Sequence, residues 1–412
     1  MLSLLTMLFL AQLDLDSGRV WPAFRGNGTS LTSAKNLPLN WSDEQNIAWN
    51  VKLVGYGQSS PVVYNGKVFV TAISGPKQEK LHLLCLDLAS GKTLWQRDYD
   101  SAQPVPTSDY VSRAAPTPVV DAQRVIAAWE SGNIIAHDHS GKLLWQRNLV
   151  EEYGPMTQRH GLGGSLGYHP AVDANTVVFT VPNMEKEKSY LLALDMTTGK
   201  NRWKITHPFG TCWSTPVVTK LDGQPAVLVS SVGSVCAFAL ADGKLLWEQG
   251  GITGNASTTP TIAGRLVLIG SGDKSGAGAL FALKLDAKAG EDRKAWTSDR
   301  ASSTFGSPLA HAGNAYTVSR AGVVYCVDLA SGKTNYDERI KSSCWASPIG
   351  WGERVYFFGV DGLTTVLKAG PTFEKLAENR LTLKNRVYGV AAVDGAFLIR
   401  TGTQLICVGR PE

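Results

Sequence analysis

The sequence lacks the marks of several large protein classes. Its 40 Lys and Arg gather into no basic stripe, only 18% of the 412 residues are charged, and the net charge is +5. A nucleic-acid surface wants clustered basic residues with interleaved aromatics, so no nucleic-acid partner is expected. The six cysteines form no Cys-x-x-Cys pair. That removes the usual frame of a zinc site, and no metal ligand set is expected. Past about residue 46 no stretch of helical period is long enough to matter. No apolar run reaches membrane-spanning length, since the run Leu2 to Leu13 is too short to cross.

That run resembles the core of a signal peptide, but no basic residue precedes it and no Ala-x-Ala follows. Residues 1–20 are therefore read as an atypical export segment, or the true start lies upstream. A periplasmic or secreted location is expected. No cysteine follows the run, which argues against a lipid anchor.

What the chain does have is 42 glycines, 12 tryptophans and a repeated phrase. Residues 193–203 read ALDMTTGKNRW. Residues 85–95 read CLDLASGKTLW, 136–145 read AHDHSGKLLW, 237–247 read AFALADGKLLW, and 326–336 read CVDLASGKTNY. Each unit opens with small residues, a Pro and a β-branched run: SSPVV at 59–63, PTPVV at 116–120, STPVV at 214–218, TTPTI at 258–262. The other openings are YHPAV at 168–172, GSPLA at 306–310 and ASPIG at 346–350, with Pro-to-Pro steps of 40 to 57 residues. A period in that range means a solenoid or a propeller.

Residues 214–247 read as four short strands joined by tight turns, several of them apolar on both faces. Both faces of such a sheet must be covered. Four-stranded antiparallel sheets packed around an axis meet that demand, so the fold class is an all-β propeller. Seven units start at the prolines, and an eighth runs from about Tyr388 to the C-terminus without a Trp strand. The segment Asn46 to Val51, with Trp49, can supply it and close the ring with no open sheet edge. Eight blades are expected, with seven as the alternative because residues 344–383 lack the phrase. The expected organisation is an extended lead-in over residues 21–45 and one propeller domain over 46–412.

In the phrase, Asp accepts backbone N–H groups, Gly supplies positive φ, and the small first residue admits the neighbouring blade. Trp49, Trp95, Trp145, Trp203, Trp247 and Trp296 should form a structural girdle, each burying a face and seeking an acceptor for its N–H. Cys85, Cys236, Cys326 and Cys407 sit in apolar stretches at equivalent places of successive repeats. Such places are too far apart to bridge, since a disulfide needs Cα atoms within about 7 Å. They read as small buried hydrophobes.

Residues 193–203 match throughout the tryptophan-docking motif, Ala-x-Asp-x-x-Thr-Gly-x-x-x-Trp, of the eight-bladed quinoprotein dehydrogenases, and the other copies match in part. The chain thus resembles the PQQ-like, quinoprotein-type propeller family over roughly residues 46–412. WPAFRGNG at 21–28 resembles the opening of secreted PQQ-like propellers of the planctomycete type. The outer-membrane assembly factor BamB shares the repeat and carries no quinone. In the dehydrogenases the resemblance implies a quinone at one channel mouth, stacked between a Trp and a Cys-Cys disulfide ring, with Ca²⁺ held by Glu, Asn and Asp. This chain has no adjacent cysteines and no Cys-x-x-Cys-His.

The residues before each opening Pro, and the loops into the inner strands, should face one mouth. Candidate ligand-binding residues there are Gln58, Tyr110, Arg113, Tyr168, His169, Trp213, Asn255, Phe305, Trp345, Arg386 and Tyr388, with Cys212 beside Trp213. Arg159 and His160 join them from the Gly-rich connection 149–167, where a long loop signals function. TCWSTP (211–216) and SCWASP (343–348) are near copies whose Trp lies outside the girdle phrase. A flat ligand stacked on Trp213 or Trp345 is one reading, and a plugged narrow channel is the other. GGSLG at 163–167 fits Gly-x-Ser-x-Gly but lacks the following helix that a nucleophile elbow needs. GSGDKSGAG at 270–278 reads as a hairpin turn rather than a phosphate loop. His137 and His139 read as a surface pair rather than metal ligands.

The sequence supports an exported, monomeric, non-catalytic binding scaffold with no catalytic residues and no cofactor, contacting an envelope protein or a small ligand through its loop face. The alternative is a PQQ-dependent oxidoreductase with Ca²⁺. A third possibility is saccharide binding at the mouth.

Overall fold

The computed structural model describes residues 18–412 apart from 104–111, 113, 156–169, 174, 184–185, 209–211, 254–257, 273–276 and 289. Thirty-two strands form eight four-stranded antiparallel sheets. In blade 1 the strands are β2 (Val62–Tyr64), β3 (Lys67–Ser74), β4 (Lys80–Asp87) and β5 (Thr93–Asp100), hydrogen-bonded in that order. Six further blades repeat the meander and span 119–148, 171–206, 217–252, 261–298, 309–339 and 349–380. The innermost strand of each begins directly after its opening proline, at Val62, Val119, Ala171, Val217, Thr261, Leu309 and Ile349. Proline cannot donate to a ladder, so it marks where pairing starts.

Blade 8 takes three strands from 387–409 and its outermost from the other end of the chain, β1 (Ile47–Lys52). Trp49 lies opposite Cys407, Asn50 opposite Ile406 and Val51 opposite Leu405. The ring has eight blades, not seven, and closes by this antiparallel pairing. Blade 7 keeps four strands without the phrase, with Ala377 opposite Val366. Trp41 of the lead-in packs beside it: its backbone N–H donates to Asn379 Oδ1 at 2.8 Å, and its ring packs on Phe397 of blade 8 at 5.9 Å. Among the described residues no helix is long and apolar enough to cross a membrane.

The phrase works as an inter-blade joint. The Trp ring of one blade lies on the turn glycine of the next, Trp49 on Gly91, Trp95 on Gly141, Trp145 on Gly199, Trp203 on Gly243 and Trp296 on Gly332. A Cβ on Gly91 or Gly199 would sit 2.6 to 2.7 Å from the ring, and both glycines have positive φ. The five indole N–H groups donate to Leu88, His139, Met196, Leu240 and Leu329 carbonyls at 2.8 to 3.1 Å. In the turns, Asp87 and Asp328 each accept from the backbone N–H and hydroxyl of a serine three residues on. Trp247 is the exception. The glycine between the third and fourth strands of its blade-5 neighbour, Gly290, does not reach its ring, Arg293 lies over the ring at 4.3 Å instead, and its N–H finds no partner among the described residues.

The small residues before the prolines have a second use. Four pre-proline N–H groups donate to the hydroxyl before the next blade's proline: Ser60 to Thr117, Thr215 to Thr259, Thr259 to Ser307 and Ser307 to Ser347, at 2.9 to 3.2 Å. This hydroxyl chain rims the channel and satisfies buried backbone donors where no strand can.

Candidate functional site

One mouth of the channel is closed by the lead-in. Trp21 exchanges two backbone hydrogen bonds with Val63 of blade 1, and Val120 of blade 2 donates to Pro22. Arg25 reaches across to blades 5 and 6, where its Nη2 donates to Thr261 Oγ1 at 2.9 Å and Pro308 O at 2.8 Å. Its Nε donates to Ser30, and Ser30 O accepts from Gly350 N of blade 7. The WPAFRGNG segment is therefore a plug lying across inner strands on several sides of the ring. Trp21 and Arg25 are each only 2% exposed. Burial pushes the Arg25 guanidinium down to about 9, so it stays charged at neutral pH.

The loops before the inner strands carry the predicted site residues. Four of the blades, 6, 7, 8 and 1, bring theirs together. Phe305 stacks on Trp345 with ring centroids 4.5 Å apart and 28° between planes. Tyr388 meets Trp345 edge-on at 5.7 Å, and the Arg386 guanidinium lies 4.9 Å from the Trp345 ring centroid. The Tyr388 hydroxyl bonds the Tyr56 hydroxyl at 2.5 Å. Burial, then the Tyr388 bond, raise the Tyr56 phenol above its usual range. Gln58 stands beside Tyr56, and its Oε1 accepts from Ser112 N at 2.9 Å. The patch is half-buried, with Arg386 exposed.

Trp213 is half-buried at the opening of blade 4, and Cys212 beside it is buried with its thiol on Ser230 O. Neither is tied to the aromatic patch by a described contact. Tyr110, Arg113, Arg159, His160, Tyr168, His169 and Asn255 lie outside the described residues, as do residues 163–167 and the export segment up to residue 17. Connection 149–167 begins with a short helix, Leu149–Tyr153, capped by the Asn148 side chain.

Two residues of this region were missed from sequence. Tyr56 precedes Gln58 in a loop that gave no signal of its own. Arg400 is fully buried in the strand Ala396–Thr401. Its Nη2 donates to Thr71 O at 3.3 Å, while Nε and Nη1 have no partner among the described residues. It lies under Gly57, next to Tyr56: a Cβ on Gly57 would come 2.7 Å from Nη2. An Arg amid FLIRTG was the available signal, since buried charges are rarely left unpaired without a reason.

The surface-pair reading of His137 and His139 is wrong. His137 is fully buried, and its Nε2 bonds Tyr99 OH at 2.5 Å. His139 is half-buried, with Nε2 on Asp121 O at 2.9 Å. Burial, then the Arg97 charge, push His137 down to about 4. The unfolded chain takes up that proton near pH 6.5, so it binds more protons between the two values. Stability should therefore fall as pH drops from about 6.5 toward 4. Thermal melts across that window check it, and His137→Gln should flatten the slope.

All six cysteines are buried free thiols. Burial raises Cys85 and Cys407 to about 12. The equivalence of the four repeat cysteines fails at one. Cys85, Cys326 and Cys407 lie opposite the girdle ring of their own blade, at Trp95, Tyr336 and Trp49. In blade 4 that place is Ala237, opposite Trp247, and Cys236 lies one residue earlier, opposite Glu248. A one-residue offset puts its side chain on the other face of the sheet.

The geometry defines the class: a closed eight-bladed propeller of quinoprotein type, plugged from one mouth and aromatic at the loops of the other. A family model described as outer membrane protein assembly factor BamB matches residues 10–158 and 140–357. The chain belongs to that family of PQQ-like β-propellers. A polyvinylalcohol dehydrogenase of Pseudomonas sp is 22% identical over 277 residues, 57% of this chain, and the chain spans 41% of that relative's length. Among solved structures, BamB from Moraxella catarrhalis superposes with a TM-score of 0.62 at 15% identity, covering 88% of this chain and 96% of that one. A quinohemoprotein alcohol dehydrogenase from Comamonas testosteroni gives 0.67 at 15% identity, over 98% and 83%. At these identities the likeness is one of fold.

Proposed function

We propose that the protein is an exported, non-catalytic binding propeller whose loop face, over blades 6, 7, 8 and 1, docks a protein partner in the cell envelope. The observation that carries this reading is the patch of Phe305, Trp345, Tyr388 and Tyr56 with the exposed Arg386. Aromatic residues and Arg beside hydroxyl groups are the composition of a binding hot spot. BamB, the family's namesake, is named as an assembly factor, which agrees with a scaffold role.

The alternative, a quinone-dependent oxidoreductase, rests on the fold shared with the alcohol dehydrogenase and on the polyvinylalcohol dehydrogenase match. The described residues fit PQQ poorly. Trp345 already carries Phe305 stacked at 4.5 Å and Arg386 over its ring, so a quinone would have to displace one of them. No carboxylate belongs to the described patch to hold Ca²⁺.

The test pairs two measurements on the full chain. A photo-crosslinking residue at position 386 should give a discrete adduct with an envelope protein, and Trp345→Ala should abolish it. Calorimetric titration with PQQ, with and without Ca²⁺, should show no saturable binding. Saturable PQQ binding lost in Trp213→Ala or Trp345→Ala, with no adduct, would replace the scaffold reading by the oxidoreductase.

A further inference from the structure

We propose that His207, Cys236 and Glu248 form a binding site for one borderline divalent metal ion, Zn²⁺ foremost, in the seam between blades 3 and 4. The three come from separate elements. His207 follows the outermost strand of blade 3, Asn201–Thr206. Cys236 is on the third strand of blade 4, Gly233–Ala239, and Glu248 on the fourth, Leu245–Ile252. Cys236 and Glu248 are cross-strand partners, so their side chains share one face of the sheet. The one-residue offset of Cys236 from the other repeat cysteines decides which face. Cys236 packs in one cluster with Leu191, Ala193 and Trp203 of blade 3, and so looks back toward His207.

Their donor atoms all lie within 4.8 Å of one another. The His207 Nε2 to Cys236 Sγ distance is 3.5 Å. A tetrahedral zinc with Zn–N near 2.05 and Zn–S near 2.3 Å places N and S about 3.6 Å apart. The pair therefore stands at ligand-to-ligand spacing without movement, and Glu248, on an exposed side chain, can close in. The His207 ring is held edge-on against Phe238 at 5.2 Å, which fixes the direction of its nitrogens. The donor set, one sulfur, one imidazole and one carboxylate, suits Zn²⁺ or Co²⁺ better than Ca²⁺ or Mg²⁺, which take oxygen.

The charges also balance. Without a cation, a buried thiol beside a carboxylate keeps its proton. With one, the Sγ–H bond breaks, the proton passes to water, and thiolate plus carboxylate neutralise the divalent ion. No electron is transferred. Three protein ligands leave a fourth position for water. The site is partly open to solvent, because His207 is half-buried and Glu248 exposed, so an ion has a way in.

The test is titration of the full-length protein with Co²⁺, read by absorption. The expected result is one equivalent bound, with a sulfur-to-cobalt charge-transfer band and tetrahedral d–d bands, both displaced by Zn²⁺. Cys236→Ala should abolish the charge-transfer band, while Cys85→Ala, which removes a cysteine at the ordinary repeat position, should keep it. Glu248→Gln changes only an exposed side chain and should weaken Co²⁺ affinity by about tenfold or more. It carries the test if Cys236→Ala does not fold. The proposal is overturned if no charge-transfer band forms, if the band survives Cys236→Ala, or if Glu248→Gln binds Co²⁺ as tightly as the parent.

Discussion

Trp49→Ala should cost about 3–5 kcal/mol and lower the urea midpoint more than the same change at any other girdle tryptophan. Every girdle Trp except Trp247 loses a ring packed on the next blade's turn glycine and an indole N–H bond to a carbonyl of that blade. Trp49 loses more, for two reasons. It is among the best buried of the six, at 8% exposure, whereas Trp145 is only half-buried. It also sits on β1, the one strand of its blade held by no turn to its neighbour. That strand is kept in place by its register on Gln404–Gly409 and by Trp49 clasped against Gly91 and Leu88. Weakening the clasp releases the closing strand, and an open ring exposes two sheet edges. Urea denaturation of Trp49→Ala and Trp145→Ala decides it. Equal losses would mean that closure adds nothing beyond the shared Trp joint.

Much of this architecture was legible because its signals are local and repeated. The opening prolines mark the first residue of seven inner strands, and the Asp-to-Trp phrase marks the outermost turn. The missing strand of blade 8 could be located because Asn46–Val51, with Trp49, precedes the first repeat and supplies the Trp strand that the last unit lacks. What was not legible depends on contacts between distant segments. Nothing local in WPAFRGNG says that Arg25 crosses the ring to Thr261 and Pro308, more than 230 residues on. Trp41 looks like an unplaced aromatic until blade 7 is seen to lack its own. Cys236 reads as equivalent to Cys85 in a loose alignment, and only strand register shows that it faces the opposite way. The mouth was half legible. Position before a proline singled out Phe305 and Trp345, and the entry to the last inner strand singled out Arg386 and Tyr388; the structure packs these four together, while Tyr56 and Arg400 join them through packing alone.

Arg25→Ala should loosen the plug without dismantling the ring. The expected loss is about 2–4 kcal/mol in the step that releases residues 18–45, with the blades unfolding later. The guanidinium ties four acceptors from three parts of the chain: Ser30 Oγ, Thr29 O, Thr261 Oγ1 and Pro308 O. Truncation leaves a cavity where the stem was and removes the only described bonds from the lead-in to blades 5 and 6. Lysine should rescue little, because a single ammonium cannot span the acceptors as a planar fork does. Methionine should rescue more. It refills the volume and removes a buried charge that has no described carboxylate partner, while leaving the four acceptors without that donor. The ordering Arg > Met > Lys > Ala is the signature of a plug held mainly by packing. It can be read from limited proteolysis within residues 19–45 alongside thermal melts. The ordering Arg > Lys > Met ≈ Ala would instead show that the plug is held by charge-assisted bonds. Salt and pH would then govern how readily the channel opens, and burial at the far mouth would count for little.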